Sequence, residues 1–155
     1  MTSDRASTPG GRVLGVDLGS KRIGLALSDP SRTIASPHSL VLRSRDRAVD
    51  HTAIRAVVIE EGAELVVVGM PTSLSGAAGP AARATQEEIE QLRAVLDGVA
   101  AVVAHDERLT TVSANHALSE AGVKGRARRD KVDKIAAAVM LQHYLDAAPS
   151  RMRGR

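Results

Sequence analysis

The sequence predicts an α/β fold with a five-stranded mixed sheet, in which three antiparallel strands are followed by two parallel ones. Three short apolar segments separated by turn residues come first, between residues 12 and 42. Two further apolar segments then alternate with segments of helical periodicity, a pattern typical of parallel strands joined by crossover helices. Ligands of such sheets bind at the carboxyl ends of the strands, so residues at those ends are the first candidates for a functional site.

The predicted elements follow in order from apolar spacing and from glycine or proline at their ends. They are strands over 12–16, 23–27 and 33–42, a helix over 45–61, a buried strand over 64–70, a helix over 80–96, a buried strand over 99–104, a helix over 109–121 and a last helix over 131–147.

The composition is that of one globular domain. The chain has 155 residues, of which 43% are hydrophobic and 25% charged, enough to bury a sizeable core. We expect a single domain over residues 12–148, between a disordered leader (1–11) and a basic flexible tail (149–155). The sequence contains no cysteine, which excludes disulfides and thiolate metal sites and suits the cytoplasm. No apolar segment approaches the roughly 20 residues of a membrane span.

Charge and aromatic content limit how the chain would bind nucleic acid. The formal net charge is +3, and Tyr144 is the only aromatic residue apart from histidines. Proteins that grip single-stranded bases usually stack them on aromatic side chains. Any nucleic acid would therefore be bound through its phosphates and its shape.

The first strand pair carries the most informative residue, Asp17. Residues 12–16 and 23–27 are apolar, and a Gly-Ser turn lies between them. A carboxylate at the end of a core strand is costly to bury unless it is paired or binds a metal. Asp17 is therefore either a metal ligand with a phosphate-attracting rim or the salt-bridge partner of Lys21 or Arg22. This segment alone does not choose between the two interpretations.

Two acids end the last predicted strand. Because side chains alternate along a strand, His105 and Glu107 share one side and Asp106 takes the other. Only one of the two acids can easily face the same cleft as Asp17. The alternative is that both are solvated loop acids.

A further acid, Asp133, lies on the apolar stripe of the last helix. Asp130 as a helix cap and Asp133 as a favourable charge near the helix dipole are the alternative explanation, but it leaves the position of Asp133 on the buried stripe unexplained. Asp17, Glu107 and Asp133 would converge from two strand ends and a helix start, as the oxygen ligands of two divalent metals do. The other members of the stripe are Ala136, Ala137, Met140, Leu141 and Tyr144.

Basic residues crowd the predicted loop directly before Asp133. A run of charge is usually a solvated loop, but a position beside candidate metal ligands favours phosphate contact. The loop 72–79 either binds a phosphate through its backbone amides or is a flexible connector. The histidines do not have the spacing of metal ligands. The basic residues are Lys124, Arg126, Arg128, Arg129 and Lys131.

Four separated motifs resemble the YqgF family, also called RuvX, of Holliday junction resolvases and pre-16S rRNA nucleases. They lie in family order at residues 15–26, at residues 67–71 with Ser75-Gly76, at residues 106–111 and at residues 132–138. The resemblance implies an RNase H-like fold and dependence on Mg²⁺ or Mn²⁺. It assigns the catalytic and metal-binding roles to Asp17, Glu107 and Asp133.

The leading hypothesis is a metal-dependent endonuclease that processes the 5′ end of pre-16S rRNA. Lys21, Arg22, Arg108 and the basic residues before Asp133 would bind phosphates. One alternative is a resolvase of branched DNA, which cuts two strands symmetrically and is expected to be a homodimer. Another is a non-catalytic RNA-binding ribosome-assembly factor that retains the fold.

Overall fold

The structure is a computed structural model that describes residues 11–71, 79–106 and 125–147, with side chains described only from residue 134 onward in the last range. These residues form one five-stranded sheet of strand order β3-β2-β1-β4-β5 and three helices. The strands are β1 (Arg12–Leu18), β2 (Arg22–Ser28), β3 (Ala35–Leu42), β4 (Ala63–Met70) and β5 (Ala101–Asp106). The helices are α1 (Arg47–Glu61), α2 (Pro80–Val95) and α3 (Gly125–Ala147).

The predicted mixed sheet is confirmed. β1 pairs antiparallel with β2 and β2 pairs antiparallel with β3, whereas β1 and β4, and β4 and β5, pair parallel. The bounds predicted for the first four strands and for α1 and α2 differ from the observed ones by no more than two residues. Local apolar patterning therefore determines this part of the fold.

The two faces of the sheet bury separate cores. On one face, Val16 and Ile23 pack with Ile54 of α1 and Leu92 of α2. On the other, Val13, Ala26 and Val67 pack with Ala137 and Leu141 of α3. Since side chains alternate along β1, the residues at positions 13, 15 and 17 belong to the α3 face.

Helix α1 ends as predicted, at Gly62, whose φ of 68° is a left-handed conformation that suits glycine. Its buried side includes two polar residues, since Asp50 and His51 are buried beside Ile54, whereas Ala48 is exposed. A pattern of apolar residues does not reveal such positions, because hydrogen bonds from Ser44 to Asp50 and between His51 and Glu88 compensate the burial of these polar side chains.

Strand β5 is not the buried strand that its composition predicts. It pairs with β4 alone among the described strands, and Ala101, Ala104 and Asp106 are exposed. It also begins two residues later than expected, since the amides of Val99 and Ala100 donate to the carbonyl of Leu96 in the preceding turn. Small alanine side chains are compatible with a half-exposed edge strand, so an apolar run does not identify a central one.

Helix α3 begins at Gly125, six residues before the predicted start. Arg126, Arg128, Arg129 and Lys131 therefore lie in a helix rather than in a loop, and Asp130 is not its cap. Asp133 is in the third turn, not the first. The prediction of a loop is wrong because arginine and alanine are strong helix formers and no glycine or proline interrupts residues 126–147.

The remaining predictions fall elsewhere in the chain. The leader up to residue 10, the loop 72–78, the helix 109–121 and the tail from residue 148 lie outside the described residues. None of the helices in the described ranges has the length and apolar character needed to span a membrane.

Candidate active site

Asp17 is partly buried near the carboxyl end of β1, on the face of the sheet that α3 covers. A glycine lies beside Asp17 on each of the two neighbouring strands. Gly24 lies directly opposite on β2, and Gly69 lies beside it on β4, since Val16 pairs with the preceding Val68. The positions flanking Asp17 on both neighbouring strands therefore carry no side chain, and Gly24 and Gly69 are themselves buried.

Helix α3 packs closely against β1 at Gly15. A Cβ atom on residue 15 would lie 2.9 Å from Leu141 Cβ and 3.2 Å from the Ala137 carbonyl oxygen. Ala137 and Leu141 belong to the buried stripe predicted from the sequence, and the stripe residues Ala136 and Met140 are also buried. Position 133 lies in the same helix, one turn before Ala137. The stripe that includes Asp133 thus runs over the strand that carries Asp17.

The β1–β2 turn follows Asp17 immediately. The Gly19 N–H donates to the Asp17 carbonyl oxygen over 3.0 Å. A Cβ atom at residue 19 would come within 2.5 Å of the Arg22 carbonyl oxygen, so only glycine fits this turn. Lys21 is exposed in the turn. Arg22 begins β2 on the α3 face, because the next residue, Ile23, packs in the opposite core. Asp17 and Arg22 therefore share one face of the sheet.

The carboxyl end of β5 adds a pair of histidines. His105 pairs with Gly69 in the sheet, and its Nε2 lies 2.8 Å from Nδ1 of His143 in α3. Burial lowers the pKa of His105 and the charge of His143 lowers it further, while Asp106 acts in the opposite direction. His105 therefore lies on the face of Asp17. Asp106, the next residue along the strand, alternates to the other face.

The other predicted site residues are only partly covered. Glu107, Arg108 and Lys124 lie outside the described residues. Asp133, Arg126, Arg128 and Arg129 lie in α3, in the part whose side chains are not described. Within the described part of the chain, no three histidine, aspartate or glutamate side chains form a group that could hold a metal ion. Of the three predicted ligands, Asp17 is the one whose side chain is described.

Residues 11–147 match the model of a protein family described as RuvX: Holliday junction resolvase. The chain belongs to the RuvX family. The match covers every described strand and helix, so the family resemblance seen in four motifs extends over the whole fold.

Relatives with curated names have sequences similar to this one. A protein of Rhodococcus opacus (strain B4) is 44% identical over 139 residues, which cover 88% of this chain and 78% of the relative. A protein of Roseiflexus sp. (strain RS-1) is 37% identical over 141 residues, which cover 91% of this chain and 98% of the relative. Both carry the name "Putative pre-16S rRNA nuclease".

The fold is also similar to a solved structure, "T. thermophilus RuvC in complex with Holliday junction substrate". The TM-score is 0.55 at 18% sequence identity, and the alignment covers 92% of this chain and 96% of that one. The likeness, together with the strand order 3-2-1-4-5, confirms the RNase H-like fold for this RuvX family member.

Sequence reasoning missed a buried ionic network behind the β1–β2 turn. Arg43 follows β3, and both its terminal nitrogens contact the carboxylate of Glu88 in α2, which is also bonded by His51 of α1. Burial alone would raise the pKa of Glu88, but hydrogen bonds from His51 and Arg43 and the charge of Arg43 outweigh it and lower the pKa to about 2.

Helical spacing offered a signal for this network. His51 precedes Ile54 and Val58 by three and seven residues, and Glu88 precedes Leu92 by four, so both polar residues lie on buried stripes. The sequence predicts no role for either residue, since the histidines have no ligand spacing and Glu88 does not lie at a strand end.

Proposed function

We propose that the protein is an endonuclease that hydrolyses phosphodiester bonds in structured nucleic acid with Mg²⁺ or Mn²⁺, and that its main substrate is the 5′ end of pre-16S rRNA. The observation that supports this proposal best is the position of Asp17. A partly buried carboxylate ends a central strand, and the neighbouring strands carry glycine on either side of it. This arrangement supports a site that admits a phosphodiester beside a fixed carboxylate.

Asp17, Glu107 and Asp133 would hold the metal. Carboxylate oxygens are the ligands that Mg²⁺ and Mn²⁺ prefer, and the glycines level with Asp17 on both neighbouring strands place no side chain against its carboxylate. The close approach of α3 to Gly15 supports a contribution from position 133, one turn before Ala137. When bound, divalent metals supply an activated water and stabilise the leaving oxygen of a phosphodiester.

The chain's cations would bind and orient the substrate backbone. Arg22 shares the face of Asp17, and Lys21 is exposed in the adjoining turn. Further phosphate contacts would come from Arg108, Lys124, Arg126, Arg128 and Arg129. A cysteine-free chain suits the reducing cytoplasm, where we place the activity.

The curated relatives favour RNA as the substrate, since they are named for pre-16S rRNA. The family description favours branched DNA as a second candidate. A resolvase cuts two strands symmetrically, so this second function requires a homodimer with two-fold symmetry.

Cleavage of two labelled substrates, a pre-16S rRNA fragment and a four-way DNA junction, tests the proposal. We expect Mn²⁺- or Mg²⁺-dependent cleavage of the rRNA near its mature 5′ end, abolished by chelator and restored by added metal. Asp97→Asn provides a matched control, because Asp97 is an exposed acid in the α2–β5 turn, at the opposite end of the sheet.

Three results would contradict the proposal. Preferential cleavage of the junction by a dimer would favour the resolvase. Tight binding of rRNA without cleavage under every metal would make the protein an assembly factor. Cleavage that persists in chelator would exclude the metal mechanism.

A further inference from the structure

We infer that Arg43 is a positioning residue that holds the β1–β2 turn, and with it Asp17 and Arg22, in the geometry needed for cleavage. The inference rests on the proposed function, since it concerns the same site. Arg43 lies outside every motif that identifies the family.

Arg43 contacts the turn at two points. Its side-chain Nε donates to the Gly19 carbonyl oxygen over 2.9 Å, and its backbone N–H donates to the Lys21 carbonyl oxygen over 3.0 Å. The Gly19 N–H is itself bonded to the Asp17 carbonyl oxygen. A continuous set of hydrogen bonds therefore connects Arg43 with the backbone of Asp17.

Arg43 is itself fixed by a carboxylate from the helical layer. Its NH1 and NH2 atoms donate to Glu88 Oε2 and Oε1 over 2.5 and 2.9 Å, a bidentate pair. Such forked contacts define the orientation of the guanidinium plane. The hydrogen bond to Glu88 is the main cause that raises the pKa of Arg43, so the side chain stays charged.

Two residues of α1 complete the arrangement. His51 Nε2 lies 2.8 Å from Glu88 Oε2, and both side chains are almost fully buried. Asp50 accepts a hydrogen bond from the Ser44 amide, and its other oxygen is 3.7 Å from Arg43 NH1. The turn is thus anchored to α1 and α2, the two helices on the face of the sheet opposite to α3.

The geometry requires arginine. Nε points at the turn while the two terminal nitrogens point at Glu88, and the single nitrogen of lysine cannot make both sets of contacts. A buried ion pair is weak evidence for stability, since well-packed apolar residues often serve equally well. Orientation of the turn accounts for the network better than added stability does.

Arg43→Lys tests the inference against Arg32→Lys as matched control. Arg32 likewise donates from Nε to a glycine carbonyl, that of Gly11, over 2.7 Å, and its NH2 is 3.8 Å from Glu64. It lies at the opposite end of the sheet from Asp17. We expect Arg43→Lys to lower kcat roughly 10- to 100-fold with little change in KM, as small misplacements of reacting groups do, and Arg32→Lys to leave kcat unchanged.

Amide hydrogen exchange gives a second readout that does not depend on activity. In Arg43→Lys the amides of Gly19 and residue 43 should exchange faster, while amides in the middle of β1 keep their protection. Should the lysine variant fail to fold, Glu88→Gln removes the charge that orients Arg43 without truncating any side chain, and should produce the same two changes.

The outcomes separate this inference from the proposed function. If the wild type cleaves neither substrate, the proposed function fails, and the exchange data alone decide whether Arg43 holds the turn. If the wild type cleaves and Arg43→Lys retains both kcat and the protection of the turn, the positioning role is overturned. Equal losses of kcat in Arg43→Lys and Arg32→Lys would also overturn it.

Discussion

Gly15 and Leu141 lie so close together that a Cβ atom on residue 15 would come within 2.9 Å of the Leu141 Cβ atom. This contact sets the distance between the central strand and α3. It therefore also determines how near the earlier turns of the helix, including position 133, come to the end of β1. A glycine two residues before the candidate catalytic aspartate thus has a role in assembling the site.

Gly15→Ala should destabilise the protein by about 1–3 kcal/mol, the usual cost of overpacking a core. It should also reduce cleavage, because α3 must move away from β1. Urea denaturation and the nuclease assay measure the two effects. Gly79→Ala is the control: a Cβ atom there meets nothing within 4 Å, so the cost should stay below about 1 kcal/mol, the loss of a glycine cap. Equal costs for both variants would contradict the close-contact explanation.

The Glu88 carboxylate should make stability depend on pH in the acid range. Its pKa in the folded protein is about 2, below the ordinary value of 4.5. Ionised Glu88 therefore stabilises the fold above about pH 4.5, and this stabilisation is lost as the pH falls from 4.5 towards 2. The difference between the two pKa values corresponds to at most roughly 3 to 4 kcal/mol.

Urea denaturation of the wild type and Glu88→Gln at pH 7, 5, 4 and 3 measures this effect. The gap in unfolding free energy should be largest at pH 7 and shrink below pH 4.5. Glu90→Gln, at an exposed position of the same helix, should show a much smaller gap throughout. A gap for Glu88→Gln that stays constant down to pH 3 would refute the assignment.

The adjacent acids at the end of β5 should differ in their effect on cleavage. Asp106 alternates away from the face of Asp17, whereas the resemblance assigns a metal-binding role to Glu107. We expect Glu107→Gln to abolish cleavage and Asp106→Asn to retain most of it, with circular dichroism confirming that both variants fold. The reverse order of activities would assign the metal-binding role to Asp106 instead of Glu107.

The arginines at the start of α3 should contribute to RNA binding by contacting phosphates of the RNA backbone. Arg126 and Arg129 are three residues apart in the helix, so they lie on one face. Replacing both with glutamine should weaken RNA binding and lower the slope of log K against log salt by about one for each lost phosphate contact. Arg55→Gln, at an exposed position of α1, should leave the slope unchanged. An unaltered slope in the double variant would exclude these residues from the interface.

The strands and helix ends that depend on nearby residues could be predicted from the sequence. Apolar runs predict β1, β2 and β4, and Gly62 and Pro80 mark helix ends where those residues are favoured. The predicted start of α3 is wrong, because a run of arginines is compatible with a helix and both arginine and alanine favour one.

The candidate site was predictable only where a single residue conflicts with its surroundings. Asp17 is conspicuous because a carboxylate ends an apolar strand. The contacts of Arg43 with Glu88, 45 residues apart, depend on tertiary packing of α2 against the turn and leave no local pattern. No local pattern marks Gly24 and Gly69 as neighbours of Asp17, because the strand register brings them to its level.

Cleavage of pre-16S rRNA by Asp17→Asn, compared with Asp97→Asn and the wild type in Mn²⁺, tests whether the Asp17 carboxylate holds the metal that cleavage needs. The substitution removes one negative charge at nearly constant shape, so folding should be preserved. We expect Asp17→Asn to melt like the wild type, to bind Mn²⁺ more weakly in titration calorimetry and to show no cleavage, while Asp97→Asn behaves like the wild type. Full cleavage by a folded Asp17→Asn variant would contradict this role of Asp17.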